Sequence, residues 1–217
     1  MTEAVWKMIV NGIIETLQMT VVSTVLAYII GLPLGVLLVV TSKGHILQNR
    51  VVNIILGIVM NIARSIPFLI LLVVLIPLTR FITGSSIGTT ATIVPLTIGT
   101  IPIVARMVES SLNEVSPGII EAAESMGASP AAIIFQFILP EATPSLLLGG
   151  AINLATVLGY SAMAGCIGGG GLGAIALNYG YYRYQENVLF VTVAILIVIV
   201  QVFQEFGTIL AAKKRHS

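Results

Sequence analysis

Residues 16–40 read TLQMTVVSTVLAYIIGLPLGVLLVV, a stretch without one charged side chain. As a helix, about 20 such residues match the roughly 30 Å hydrocarbon core of a bilayer. Comparable apolar runs fall at 51–78, 87–108, 145–166 and 188–211. Over the 217 residues, 57% are hydrophobic and only 9% charged, against roughly 25% charged in a soluble domain. Such a chain cannot cover a water-facing surface. Lipid offers backbone groups no outside partner, and the alternating pattern of a membrane barrel is absent, so the spans are expected to be helices. The expected fold class is an all-α, polytopic membrane protein with five transmembrane helices.

Several functions are excluded early. The net charge of +1 offers no nucleic-acid surface. The single cysteine, Cys166, precludes an intrachain disulfide, and no Cys/His cluster suggests a metal site. No Gly-Lys-Ser or Gly-Lys-Thr occurs, so there is no P-loop. His45 and His216 are both expected in exposed basic segments, and no nucleophile–base pair stands out. The first apolar run is expected to stay as a span rather than be cleaved, because Lys7 is the only early positive charge and the run is too long for a signal peptide.

Lys and Arg set the orientation. With the N-terminus outside, the inner side holds Lys43, Arg50, Arg106, Lys213, Lys214 and Arg215. The outer side then holds Lys7, Arg80 and Arg183, with Arg64 inside the membrane. The excess favours N-out, C-in, and it makes 109–144 the largest cytoplasmic loop.

That loop carries local start and stop signals. Ser116 then Pro117 reads as an N-cap and a first helical residue, and Gly127 is placed to end the helix in the left-handed region. Ser129 and Pro130 repeat the start signal, and Pro140 is expected to stop the second helix. Ala122, Ala123, Gly127 and Ala128 leave the backbone open to close approach.

The string Glu121-Ala122-Ala123-Glu124-Ser125-Met126-Gly127-Ala128-Ser129-Pro130, continuing to Ile138-Leu139-Pro140, resembles the EAA motif of binding-protein-dependent ABC importer permeases. It matches over some twenty residues without a gap. The resemblance implies the type I ABC importer permease fold, in one transmembrane domain over 1–217, with a coupling helix in the 109–144 loop. Glu121, Ala122, Ala123 and Gly127 would form the core that docks on a separate ATPase, with Ala128, Ser129 and Pro130 shaping the turn. It also implies a second copy of this chain, two cytoplasmic ATP-binding subunits, and a periplasmic or lipid-anchored substrate-binding protein, all at a bacterial inner membrane. ATP and Mg would belong to the ATPase, with no cofactor on this chain. The likeness extends over the whole length to methionine-importing members, through Arg64-Ser65-Ile66-Pro67-Phe68 and Met163-Ala164-Gly165 before Gly168 to Gly171. The Arg-Ser-x-Pro string alone supports only amino acids as a class.

Within the spans, Arg64 has Asn61 three residues before it. Arg64 reads either as a pathway charge or as a structural ion pair or carbonyl cap. The structural reading is favoured, because a fixed positive charge would trap a substrate carboxylate. Pro67 is expected to bend span two, placing Ser65 beside the break. Asn153, Tyr160, Ser161 and Met163 are the distinctive side chains of span four. Met163 suits an apolar seal or ordinary packing. Gly31 and Gly35 permit close helix packing, within or between subunits. The G-x-G-x-x-G match in Gly168–Gly173 lacks a strand–helix unit and is expected as a flexible outer loop able to meet the binding protein. Tyr179, Tyr181, Tyr182 and Tyr184 read as an interfacial belt. A permease for another small solute stays open. A self-contained carrier is disfavoured, since five spans do not divide into repeats.

The orientation has a direct check. In intact spheroplasts, added protease should cut a tag at the N-terminus and spare one at the C-terminus, and the reverse pattern would overturn the assignment.

Overall fold

The computed structural model describes residues 3–215, and among these every regular element is helical. Helix α1 runs over Glu3–Val40, starting well before the expected residue 16. Its 38 residues extend about 57 Å at 1.5 Å per residue, so it overhangs a bilayer core. Near the N-terminal end, exposed Glu3 and Lys7 pair at 2.8 Å. Pro33 lies inside α1 without ending it.

The second span departs from the expected single rod over 51–78. It is three pieces: α2 (Arg50–Ser65), α3 (Phe68–Val74) and α4 (Ile76–Thr83). The axes of α2 and α3 differ by 98°. Pro67 causes the break: the residue before a proline is pushed out of the helical region, and Ile66 adopts φ −78°, ψ 122°. The expected bend at Pro67 is therefore present, and it is a sharp corner.

Next come α5 (Thr89–Leu112), α6 (Pro117–Ser125), α7 (Pro130–Glu141), α8 (Thr143–Ala164), α9 (Gly171–Ile175) and α10 (Glu186–Arg215). Four helices, α1, α5, α8 and α10, are long and apolar enough to cross a membrane, and the bent pair α2–α3 makes a fifth if counted as one span. Pro140 does not stop the second loop helix as expected. A π-helical stretch over Ile133–Ile138 precedes it, with the Leu139 N–H donating to the Ile134 carbonyl. Widening the turn moves the upstream carbonyls away from the proline ring, whose clash with the i−4 carbonyl otherwise ends a helix.

The core is the contact of α1 with α5. A Cβ on Gly31 would lie 2.8 Å from the Cβ of Val104, and one on Gly35 would lie 2.6 Å from the Ala105 carbonyl oxygen. Both glycines therefore serve packing within the subunit. Small hydroxyl residues continue the seam: Thr16, Thr20, Ser23 and Thr24 on α1 and Thr92, Thr97 and Thr100 on α5 are buried. Most turn their hydroxyls back on their own helix, as Thr24 does to the Thr20 carbonyl and Thr100 to the Leu96 carbonyl, both at 2.7 Å. That arrangement satisfies the hydroxyl and keeps the helix surface narrow. By contrast, α10 leaves Phe190, Ile197, Val202 and Phe206 exposed, an apolar face suited to lipid.

Gly35→Val should overpack this seam, at a cost of about 1–3 kcal/mol. A lowered apparent melting temperature of the purified protein checks it. An unchanged value would mean that α1 and α5 can separate freely.

Candidate functional site

In the 109–144 loop, α6 ends in a complete Schellman motif. Gly127 has φ +76°, its N–H donates to the Glu124 carbonyl at 2.9 Å, and the Ala128 N–H donates to Ala123 at 3.1 Å. Ser129 caps α7, its Oγ accepting from the Ala132 N–H at 3.3 Å, with Pro130 in the first turn. Ser116 occupies the cap position of α6 but makes no side-chain cap. Its carbonyl accepts from the Ile119 N–H instead.

The motif divides by burial. Glu121, Ala122, Gly127, Ser129 and Pro130 are exposed and Ala128 is half-buried. Ala123 is 0% exposed, packed in a cluster with Leu112, Val115, Ile133 and Ile138. The expectation that Ala123 belongs to the docking surface is corrected: it fastens α6 to the body. A Cβ on Gly127 would meet nothing within 4 Å. Two apolar side chains that the sequence reading passed over, Met126 and Phe135, are 70% and 69% exposed on the same loop.

His45, expected in an exposed segment, is half-buried, and its Nδ1 has no hydrogen-bond partner. Burial holds its imidazole below the ordinary histidine value, and the Glu124 carboxylate on α6 opposes that shift. His216 lies outside the described residues.

The corner of span two makes a shallow cleft with α5 and α8, lined by Ala63, Arg64, Ile66, Phe68, Leu71, Gly99, Ile103 and Tyr160. The rings of Phe68 and Tyr160 stack with centroids 4.2 Å apart and planes 8° from parallel. Gly99 admits Phe68, since a Cβ there would lie 3.3 Å from its ring. Of the expected pathway residues, Arg64 and Tyr160 meet here, and Ser65 and Pro67 form the corner itself. Ser65 turns its hydroxyl to the Asn61 carbonyl, 2.8 Å away. Met163, one turn beyond Tyr160, is exposed. Asn153 and Ser161 are buried: Asn153 Nδ2 donates to the Tyr28 hydroxyl at 3.3 Å, and Ser161 Oγ to the Leu158 carbonyl at 2.7 Å. Neither lines the cleft.

Arg64 has no salt bridge among the described residues, so the ion pair of its favoured structural reading is not formed within this chain. Another arginine plays that part. Arg106 pairs with Glu109 at 2.6 Å and reaches across to α2, donating to the Gly57 carbonyl and to Asn61 Oδ1, each at 2.8 Å. The Asn61 expected beside Arg64 thus serves Arg106.

The glycine run is only in part a loop. Gly165–Ile167 forms a 3-10 turn, Gly168–Gly170 reverse the chain, and α9 continues as a π-helix over Ala176–Tyr181. Gly169, Gly171 and Gly173 are buried. No strand accompanies the run among the described residues, so the dinucleotide match stays empty. Beyond it, Arg183 sits 4.4 Å over the Tyr179 ring, while Tyr181, Tyr182 and Tyr184 are exposed.

A helical membrane protein whose spans meet at a cleft, and whose main loop holds out a capped, small-residue helix, is built as a transport permease. The chain belongs to the family described as binding-protein-dependent transport system inner membrane component, which matches residues 31–215. The probable D-methionine transport system permease protein MetI of Vibrio cholerae is 50% identical over 202 residues, covering 93% of this chain and 90% of its own. Its Pasteurella multocida counterpart is 44% identical over the full length of both. A solved structure of the MetNI methionine ABC transporter, inward facing, superposes with a TM-score of 0.97 at 46% identity, covering 99% of each chain. An amino acid ABC transporter crystallised with histidines matches with a TM-score of 0.78 at 22% identity, covering 95% of this chain and 94% of its own; that likeness concerns the fold alone.

The split within the motif separates two variants. Ala123→Leu should lower the amount of folded protein in the membrane, since overpacking costs about 1–3 kcal/mol. Gly127→Glu should leave that amount near normal and abolish transport, while Gly127→Ala, equally strained but small, should largely keep it. Immunoblots of membranes beside uptake rates decide, and normal uptake by Gly127→Glu would remove the loop from docking.

Proposed function

We propose that this chain is the membrane-spanning subunit of an ATP-driven methionine importer. One observation carries the coupling part: α6 is locked to the body through Ala123 and offers Glu121, Ala122 and Gly127 to a partner. The partner on that face is a cytoplasmic ATP-binding subunit. The name shared by the relatives, at 44–50% identity over nearly the whole chain, supports methionine as cargo and the D-enantiomer among its forms. Two copies of this chain, related by a two-fold axis, pair with two ATP-binding subunits and receive substrate from a binding protein outside. The single domain sits N-out and C-in, which puts α6 on the ATPase side.

The exposed guanidinium of Arg64 at the cleft reopens its pathway reading. A charge at such a site faces water or an anion rather than lipid, so the open side of the cleft faces the substrate route. Tyr160 and Met163 line that route from α8.

Uptake of labelled L- and D-methionine by cells lacking the gene, with and without the gene restored, tests the reading. Restored, ATP-dependent uptake competed only by methionine-like compounds is expected. Competition by another solute would replace the substrate, and uptake driven by an ion gradient would overturn the coupling mechanism.

A further inference from the structure

The turn after α8 is held by a residue from the other end of the chain. Gly170 and Gly171 have φ +83° and +73°, a path open to residues without a Cβ, and Gly170 brings no side chain to cap α9. The first N–H groups of a helix have no partner within it. Here α1 supplies partners: Glu15 Oε2 accepts from the Gly171 N–H at 2.7 Å, and Thr16 Oγ1 from the Leu172 N–H at 2.9 Å.

The other ties of the segment are neutral. The Gly88 N–H donates to the Gly168 carbonyl at 2.9 Å, and the Gly169 N–H to the Ala164 carbonyl at 2.9 Å. Glu15 is the one charged link. Its carboxylate forms no salt bridge among the described residues, although it is half-buried in a membrane-spanning helix. It stands just before the uncharged run of α1, where a half-buried carboxylate is costly unless it is hydrogen-bonded. Its bond is charge-assisted and lies at the positive end of a helix dipole, which makes it the strongest single tie of the turn.

What the turn holds gives the tie a role. Gly169 bonds the Ala164 carbonyl, and a Cβ on Gly173 would collide with the Ala162 backbone. These two residues flank Met163, the exposed side chain one turn from Tyr160. We infer that Glu15 is a positioning residue for transport: it clamps the glycine turn to α1, and through the turn it fixes the Met163-bearing end of α8. With the carboxylate in place the turn stays closed; without it, that end of α8 is free to open regardless of the state of α6. The inference rests on the importer reading for its transport consequence, but not for the clamp itself.

The buried Gly169 N–H, bonded to the Ala164 carbonyl, is protected while the turn is closed, so its hydrogen exchange reports on the clamp without engineered labels. The whole transporter, in nanodiscs that leave both membrane faces accessible, is diluted into deuterium oxide, and labelling of that amide is followed over time. Glu15→Ala should raise the labelling rate about tenfold or more, as expected for loss of one charge-assisted hydrogen bond. Glu15→Gln, which keeps an acceptor oxygen, should fall between Glu15→Ala and the natural protein. Glu3→Ala, on the same helix in an exposed pair, should change nothing. Methionine uptake should fall in Glu15→Ala while ATP hydrolysis persists. An assembled Glu15→Ala transporter labelled at the natural rate would overturn the clamp, whatever its uptake. If that variant fails to assemble, Glu15→Gln decides: a raised rate supports the clamp and an unchanged rate overturns it. Should the cargo prove to be another solute, the labelling result stands unaltered.

Discussion

Hydrocarbon offers a peptide group nothing to bond, so each interruption of a helix in this chain must be covered by groups the chain itself supplies. Two interruptions define the working parts. At the first, Ile66 leaves the helical region and Pro67 cannot donate. The Pro67 carbonyl then accepts from the Ile70 and Leu71 N–H groups, at 2.9 and 3.0 Å, and starts α3 at once. At the second, Gly168–Gly171, cover comes from α1 and α5 together. Both depend on the narrow glycine and hydroxyl seam that lets α1 and α5 approach: Gly99 of α5 receives Phe68 beside the first break, and Glu15 and Thr16 of α1 reach the second. Widening that seam would uncover the polar groups at both.

What could be read from the sequence follows from which signals are local. Long apolar runs gave the spans, because hydrocarbon thickness sets their length. Ser129-Pro130 and Gly127 gave the ends of the loop helices, because capping is decided within a few residues. The corner at Pro67 was legible for the same reason. Its angle was not, since a proline permits a break and packing sets the direction.

The misread residues are those whose partners are far away in the chain. Arg64 and Arg106 are alike as letters, and only the packing of α2 on α5 gives Asn61 to Arg106. Ala122 and Ala123 are adjacent identical residues about 100° apart around α6, one open and one buried against Ile133 and Ile138. A run of glycines reads as flexible until its N–H groups meet a carboxylate 156 residues away. For Glu15, the available signal was a single acidic residue just before an uncharged run, but its partner could not be named without the fold.

The parts form one mechanical path. α5 contributes Gly99 to the cleft, reaches α2 through Arg106, and leads into the loop. The loop returns as α8, which carries Tyr160 to the opposite wall. The roots of the loop are tied: Ser145 Oγ donates to Ser111 Oγ at 3.1 Å, and Ala123 and Ala142 share one buried cluster with Leu112. A load on α6 therefore reaches α5 and α8 together. Among the residues of α2 only Met60 is buried, so α2 follows α5 chiefly through the polar links of Arg106, while Asn53 ties it to α1, its Nδ2 donating to the Leu38 carbonyl at 2.7 Å. Because an arginine detached from α2 would keep Glu109 but lose both hydrogen bonds it donates to Gly57 and Asn61, α2 and α5 are held as a pair. The opposite wall of the cleft is carried by α8, whose far end packs on the glycine turn.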